Sequence, residues 1–200
     1  IDHRVAAVII EPIQGDAGVR IPSVEFMQKL RKICNDHCIL LITDEIQTGF
    51  GRTGKLFAFE HFNIVPDIIT IGKAFGGGMP IGGLVTSQKL MSLFTHNPPL
   101  GHITTFGGHP MSCAGALAGI EILQKENLIA QVESKGVLFE KLLDHQLIKQ
   151  IRRKGLFFAI EMENAEMVQK VVEGCKEKGL LSFWFLSCPE SFRIAPPLII

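Results

Sequence analysis

The sequence carries no excess charge of either sign: 20 Lys and Arg are matched by 20 Asp and Glu, and the formal net charge is zero. Such a chain has no electrostatic pull toward a polyanion, so nucleic acid is not an expected partner. No apolar run approaches the roughly 18 residues of a membrane span, and no signal peptide opens the chain. Cysteine is sparse, with five in 200 residues. That odd count in a chain this long favours reduced thiols in a cytoplasmic setting over a disulfide framework. Internal repeats and low-complexity stretches are lacking. So is an initial methionine: the sequence starts at Ile1 and stops at Ile200 inside an apolar run, and it reads as cut at both ends.

What is present suits a well-buried α/β core. Hydrophobic residues make up 46% and charged residues 20%, which excludes a disordered tail. A chain of this length buries roughly 70% of its unfolded surface. Continuous apolar runs at Val5–Ile10, Ile39–Thr43 and Asp67–Ile71 predict strands covered on both faces in a parallel sheet, with Gly83–Thr86 as a fourth candidate. A helix over Val24–Asn35, capped by Ser23, is expected to place Phe26, Leu30, Ile33 and Cys34 on its inner face. Pro110 opens a second helix running to about Gln124, whose Ala and Gly content implies close packing against a neighbour. A third helix follows from Leu128 to about His145. Beyond it the expectation is a strand–helix–strand set: Leu156–Ile160, a helix over Ala165–Lys178 capped by Asn164 and stopped by Gly179, and a strand near Leu181–Leu186 that Phe192–Ile194 could join. The basic run Lys149–Lys154 is expected to be a solvated face. The boundary between the two parts is placed near residues 125–130.

Glycine is concentrated between Gly49 and Gly108. The segment Gly49-Phe50-Gly51-Arg52-Thr53-Gly54-Lys55 matches two nucleotide patterns, G-x-G-x-x-G and G-x-x-x-x-G-K. Neither fits its context. Leu56 stands where a phosphate loop needs Ser or Thr, and Pro66 stops the following helix too early for a dinucleotide fold. More informative is Gly72-Lys73-Ala74-Phe75-Gly76-Gly77-Gly78, which puts a lysine at the carboxyl end of a buried strand, where open α/β sheets bind ligands. Asp44 ends the preceding strand, and a carboxylate there is costly to bury unless it meets a cation. A carboxylate that keeps a ring nitrogen protonated, with a lysine that forms a Schiff base, is the minimal equipment for pyridoxal phosphate chemistry. An Asp44–Lys73 ion pair without a cofactor satisfies the same spacing.

Five segments, in order and spanning nearly the whole chain, resemble the class-III pyridoxal-phosphate aminotransferases, the ornithine, acetylornithine and 4-aminobutyrate group. They are Glu11-Pro12-Ile13-Gln14-Gly15, Asp44-Glu45-Ile46-Gln47-Thr48-Gly49-Phe50-Gly51-Arg52-Thr53-Gly54, Gly72-Lys73-Ala74, Thr104-Thr105-Phe106-Gly107-Gly108 and Arg193-Ile194-Ala195-Pro196-Pro197. The resemblance implies an α/β fold: residues 1–126 as part of the large, mostly parallel-sheet domain of a fold-type I pyridoxal-phosphate transferase, and 127–200 as a truncated small α/β domain. It implies pyridoxal 5′-phosphate as cofactor, Lys73 as the Schiff-base lysine and Asp44 as the partner of the ring nitrogen. By the same resemblance Ile46 lies against one ring face, Gln47 hydrogen-bonds the phenolic oxygen, and Thr105 reaches the phosphate of a second subunit's cofactor, making the active unit a homodimer. Arg193 resembles the arginine that takes the α-carboxylate of glutamate or 2-oxoglutarate. Asp16 stands where many relatives carry a glutamate that pairs with that arginine; its shorter arm leaves three alternatives, a backbone that moves in, a bridging water or an open Arg193, with the water-bridged pair slightly favoured. His109 replaces the usual asparagine. The family's catalytic chain is about twice as long and includes a phosphate cup and a ring-stacking aromatic that have no counterpart here. A carboxyl-terminal piece, inactive alone, is therefore expected.

The implied reaction is amino transfer from an amine or amino acid, often at an ω-amino group, to a 2-oxo acid. A racemase, mutase or decarboxylase using the same lysine is the alternative within the fold, and a non-catalytic fragment the alternative outside it. Cys34, His37 and Cys38 lack a second ligand pair at zinc spacing, so no metal is expected. His61 and His102 read as structural or loop residues, and Phe75 and Met79 as site wall or core.

Overall fold

The computed structural model describes residues 4–200, and in it the chain divides into two compact units. The first contains the chain up to Pro12, Ser23–Phe50 and Phe57–Glu126; the second contains Ile13–Pro22, Gly51–Leu56 and Asn127–Ile200. Two short stretches of the first 126 residues thus belong with the second unit.

The first unit holds strands β1 (Ala7–Ile10), β2 (Leu40–Asp44), β3 (Ile68–Ile71) and β4 (Gly83–Thr86), in that order across the sheet. Its helices are α1 (Val24–Asp36), the short α2 (Gln88–Met91) and α3 (Pro110–Lys125). The first three strands run parallel, with Ile9 opposite Ile42 and Thr43 opposite Ile69. β4 returns antiparallel, with Val85 opposite Ile69, a direction that its four-residue run could not disclose. Cover is thinner than the apolar runs suggested: Ile9 is 65% exposed, and burial concentrates at Leu41 and Thr43 of β2. Ser23 caps α1 by accepting the Phe26 N–H at 3.1 Å. The inner face of α1 is centred on Met27 and Cys34, whereas Phe26 and Ile33 are exposed, which corrects the expected face. The Asp67 carboxylate fastens these pieces by accepting from Leu41 N–H and from the Arg31 guanidinium, each at 2.7 Å.

The second unit contains α4 (Leu128–Leu142), β5 (Gln150–Lys154), β6 (Phe157–Glu161), α5 (Ala165–Glu177), β7 (Phe183–Phe185) and β8 (Cys188–Ile194). Its sheet is wholly antiparallel, ordered β5-β6-β8-β7. Phe158 and Ile160 of β6, Val168 and Val172 of α5, Val132 of α4 and Phe192 of β8 form its core. Asn164 caps α5, accepting from Met167 N–H at 2.9 Å. The basic run is β5 rather than a solvated face. Arg152 and Arg153 are mostly buried there, paired with Glu161 and with Glu133 and Glu140. Gly155 follows with φ +58°, and a Cβ there would lie 2.6 Å from the Thr53 carbonyl carbon, so only glycine fits the turn into β6. Among the described residues no helix is long and apolar enough to cross a membrane.

Candidate active site

β2 and β3 run parallel with Asp44 opposite Thr70, so both strands deliver their carboxyl ends to the same edge of the first unit. Asp44 ends β2, and its Oδ1 accepts the Ile46 N–H at 3.0 Å, which folds the chain back on itself. After β3 the backbone is fully extended at Gly72 and then left-handed at Lys73, with φ +46°, at the start of a 3-10 turn over Lys73–Gly76. A left-handed non-glycine residue costs roughly 1–3 kcal/mol and persists where surrounding structure over-determines it, commonly at functional sites. Lys73 itself is exposed. Ile46 lies over Gly72, its Cγ2 only 3.5 Å from where a Cβ would stand. Gln47 is half-buried in the same turn. Asp44, Ile46, Gln47 and Lys73 therefore share one unit and one end of two neighbouring strands. Thr105 stands apart, in the exposed loop ahead of α3, a loop tightened by Gly107 N–H to Thr104 O and His109 N–H to Phe106 O, both 3.2 Å.

The Lys73 turn is held from two sides. Phe75 stacks on Phe50 with centroids 5.3 Å apart, and Phe50 meets Phe57 edge-on at 5.6 Å. From α3, Gly115 approaches so closely that a Cβ would lie 2.8 Å from Gly76 O and 2.9 Å from Met79 Cγ. The small residues of α3 thus do pack against a neighbour, and Phe75 and Met79 are walls of the lysine-bearing turn.

Glu45 was not singled out by sequence reasoning, although it stands between Asp44 and Ile46. It is fully buried. Its Oε2 accepts from the Thr48 hydroxyl and, at 2.9 Å, from Ala58 N–H, while Oε1 accepts from Phe59 N–H at 2.9 Å. Burial pushes its carboxyl above the ordinary glutamate range although these three donors pull it down. The available signal was an acidic residue directly after a strand-end aspartate, with a hydroxyl three positions on.

In the second unit, Arg193 lies in β8 opposite Ala159 of β6 and Phe183 of β7. Its guanidinium carbon is 5.9 Å from the Phe183 ring centre, a cation–π contact. Asp16 is engaged elsewhere: Oδ2 accepts from the Ser187 hydroxyl at 3.0 Å and Oδ1 from Leu186 N–H at 3.4 Å. The structure does not join Asp16 to Arg193 by an ion pair. Arg52 is fixed by donating to Leu156 O at 3.1 Å and Pro196 O at 2.5 Å. Burial lowers the pKa of its guanidinium, and the charge of Arg193 lowers it further. Among the described residues, no group of three or more His, Cys, Asp and Glu is placed to hold a metal ion.

The family model described as aminotransferase class-III matches residues 1–200. An ornithine aminotransferase of Oceanobacillus iheyensis is 42% identical over 208 residues, covering 100% of this chain and 50% of the relative. The structure of an ornithine aminotransferase from Plasmodium yoelii superimposes with a TM-score of 0.88 at 36% identity, covering 100% of this chain and 53% of the other. A Toxoplasma gondii ornithine aminotransferase, with pyridoxal phosphate partly occupying its active site, gives 0.87 at 35% identity, covering 97% and 46%. The chain spans about half the length of these relatives. It has the α/β architecture of the pyridoxal-phosphate aminotransferases and belongs to the class-III aminotransferase family.

Proposed function

We propose that this chain is the carboxyl-terminal half of a pyridoxal-phosphate-dependent aminotransferase, inactive alone. The complete enzyme moves an amino group from an amine or amino acid, an ω-amino donor such as ornithine, to a 2-oxo acid such as 2-oxoglutarate. One observation carries the reading: Lys73, held left-handed, shares its strand-end edge with Asp44. The side chains there fit the cofactor, with an amine for its carbonyl carbon, a carboxylate for its ring nitrogen, and Ile46 and Gln47 for its apolar face and phenolic oxygen. When bound, pyridoxal phosphate supplies an electron sink for the pair left on the substrate carbon.

The chain's own residues do the rest. Lys73 Nζ would hold the cofactor and, when free, would carry the proton away from the substrate carbon. Asp44 keeps the ring-nitrogen proton in place and so stabilises the charge that develops in the transition state. Arg193 orients the α-carboxylate of glutamate or 2-oxoglutarate through its planar fork. Asp16 serves this arginine indirectly, by holding the turn that leads into β8. Thr105 reaches the phosphate of a neighbouring subunit, which makes the working unit a homodimer.

Borohydride reduction of the complete, cofactor-loaded enzyme, followed by peptide mapping, tests the assignment. The cofactor is expected on Lys73, and Lys73→Ala should abolish the attachment. A cofactor fixed instead to Lys55 or Lys89 would overturn it. Measurable transamination by the 200-residue chain alone would overturn its inactivity.

A further inference from the structure

Among the described residues Glu45 is the only carboxylate with no exposure to solvent. Strand alternation places it there: Leu41, Thr43 and Glu45 turn inward while Ile42 and Asp44 face the other way. Every polar group it owns is committed. Three donors from Thr48, Ala58 and Phe59 converge on its carboxylate. Its N–H donates to Thr70 O at 3.0 Å, and its carbonyl accepts from Gly49 N–H at 2.9 Å. The residue therefore ties the turn carrying Asp44, Ile46 and Gln47 both to the 3-10 segment at Ala58–Phe62 and to β3, three residues before Lys73.

We infer that Glu45 is a positioning residue for the cofactor: it sets the distance and angle between the Asp44 turn and the Lys73 strand end without touching the cofactor itself. This rests on the pyridoxal-phosphate reading and names a part of that site which the family motif leaves without a role. The physical reason is the cost of an unmet buried group. Glu45→Gln keeps the shape but replaces one oxygen by an amide NH2, which then faces the N–H of Ala58 or Phe59. A buried donor without an acceptor is costly, so the turn shifts to find one.

The test uses the complete, cofactor-loaded enzyme and two readouts, the pyridoxal phosphate dissociation constant and the pH midpoint of the cofactor's visible absorption change. Glu45→Gln is expected to weaken cofactor binding about 10-fold, the scale seen when partners that orient ligating side chains are lost. The absorption midpoint should move by about half a pH unit, because Asp44 no longer meets the ring nitrogen squarely. Val168→Ala, a core substitution in α5 of the second unit, should lower the melting temperature comparably yet leave both readouts unchanged. If Glu45→Gln behaves like Val168→Ala, Glu45 is structural glue and the inference falls. Should Glu45→Gln fail to fold, Thr48→Val removes a single donor and decides instead: a midpoint displaced from the wild-type value supports the inference, and an unchanged midpoint refutes it. A complete wild-type enzyme that takes up no cofactor would remove the proposed function, and this inference with it.

Discussion

Ser187 and Asp16 are joined directly, the serine hydroxyl donating to Asp16 Oδ2 at 3.0 Å. The bond spends on the β7–β8 turn a carboxylate that the family pattern assigns to Arg193. Asp16→Ala should loosen that turn, at a cost of about 1 kcal/mol. In the complete enzyme it should slow the glutamate half-reaction, which uses Arg193, more than the ω-amine half-reaction. Single-turnover kinetics of the two halves checks this, and a loss confined to the ω-amine half would show that Asp16 covers the guanidinium after all.

Gly115 and Gly174 form a contrasting pair in two helices. A Cβ on Gly115 would meet the Gly76 carbonyl at 2.8 Å, whereas one on Gly174 meets nothing within 4 Å. Gly115→Val is therefore expected to destabilise by about 1–3 kcal/mol through overpacking. Cofactor affinity should drop with it, since the strained turn carries Lys73. Gly174→Ala should stabilise by about 0.5–1 kcal/mol. Thermal denaturation of both variants decides between these signs.

Arg152 knits the second unit together. It donates to Gly18 O at 2.7 Å and Ser191 Oγ at 3.0 Å, is ion-paired to Glu161, and is only 10% exposed. Arg152→Met should cost about 3 kcal/mol, because it strands the Glu161 carboxylate and the Gly18 carbonyl. Denaturant unfolding measures this. A loss below half a kcal/mol would return the basic run to the status of a solvated face.

The raised carboxyl of Glu45 has a defined pH signature. Burial is the main cause, and the nearby charge of Glu60 pushes the same way. A group that binds its proton more tightly when folded adds stability below its unfolded pKa, about 4.3 for glutamate, and that part is lost as pH rises toward the folded value. Glu45→Gln removes the titration. Its stability relative to wild type should rise as pH increases from 4 and then level off, a trend that urea melts across that range would follow.

The sequence disclosed strands wherever burial demanded continuous apolar residues, as at Ile39–Thr43, and helix starts wherever a cap was needed, as at Ser23 and Asn164. It hid β5 because Gln150-Ile151-Arg152-Arg153-Lys154 looks solvated until its arginines find acidic partners far along the chain. It also hid the true face of α1. Phe26 and Met27 lie one helical step apart on adjoining stripes, and spacing alone does not say which stripe meets the sheet. At the candidate site, the strand-end placement of Lys73 and Asp44 was legible because glycine and apolar runs frame them. The burial of Glu45 was not, because it depends on the backbone N–H groups of Ala58 and Phe59, which no residue type announces.

The interleaving of the two units has a practical meaning for anyone dissecting the protein. A clone of Asn127–Ile200 looks like a natural excision at a single cut, yet it would leave out Gly51–Leu56 and Ile13–Pro22. The carbonyls of Leu156 and Pro196 would lose the Arg52 guanidinium, and Cys188 would lose the backbone of Gly18 that now lies against it. A stable miniature of this unit calls for a redrawn chain order, with those two segments grafted by short linkers onto the excised piece.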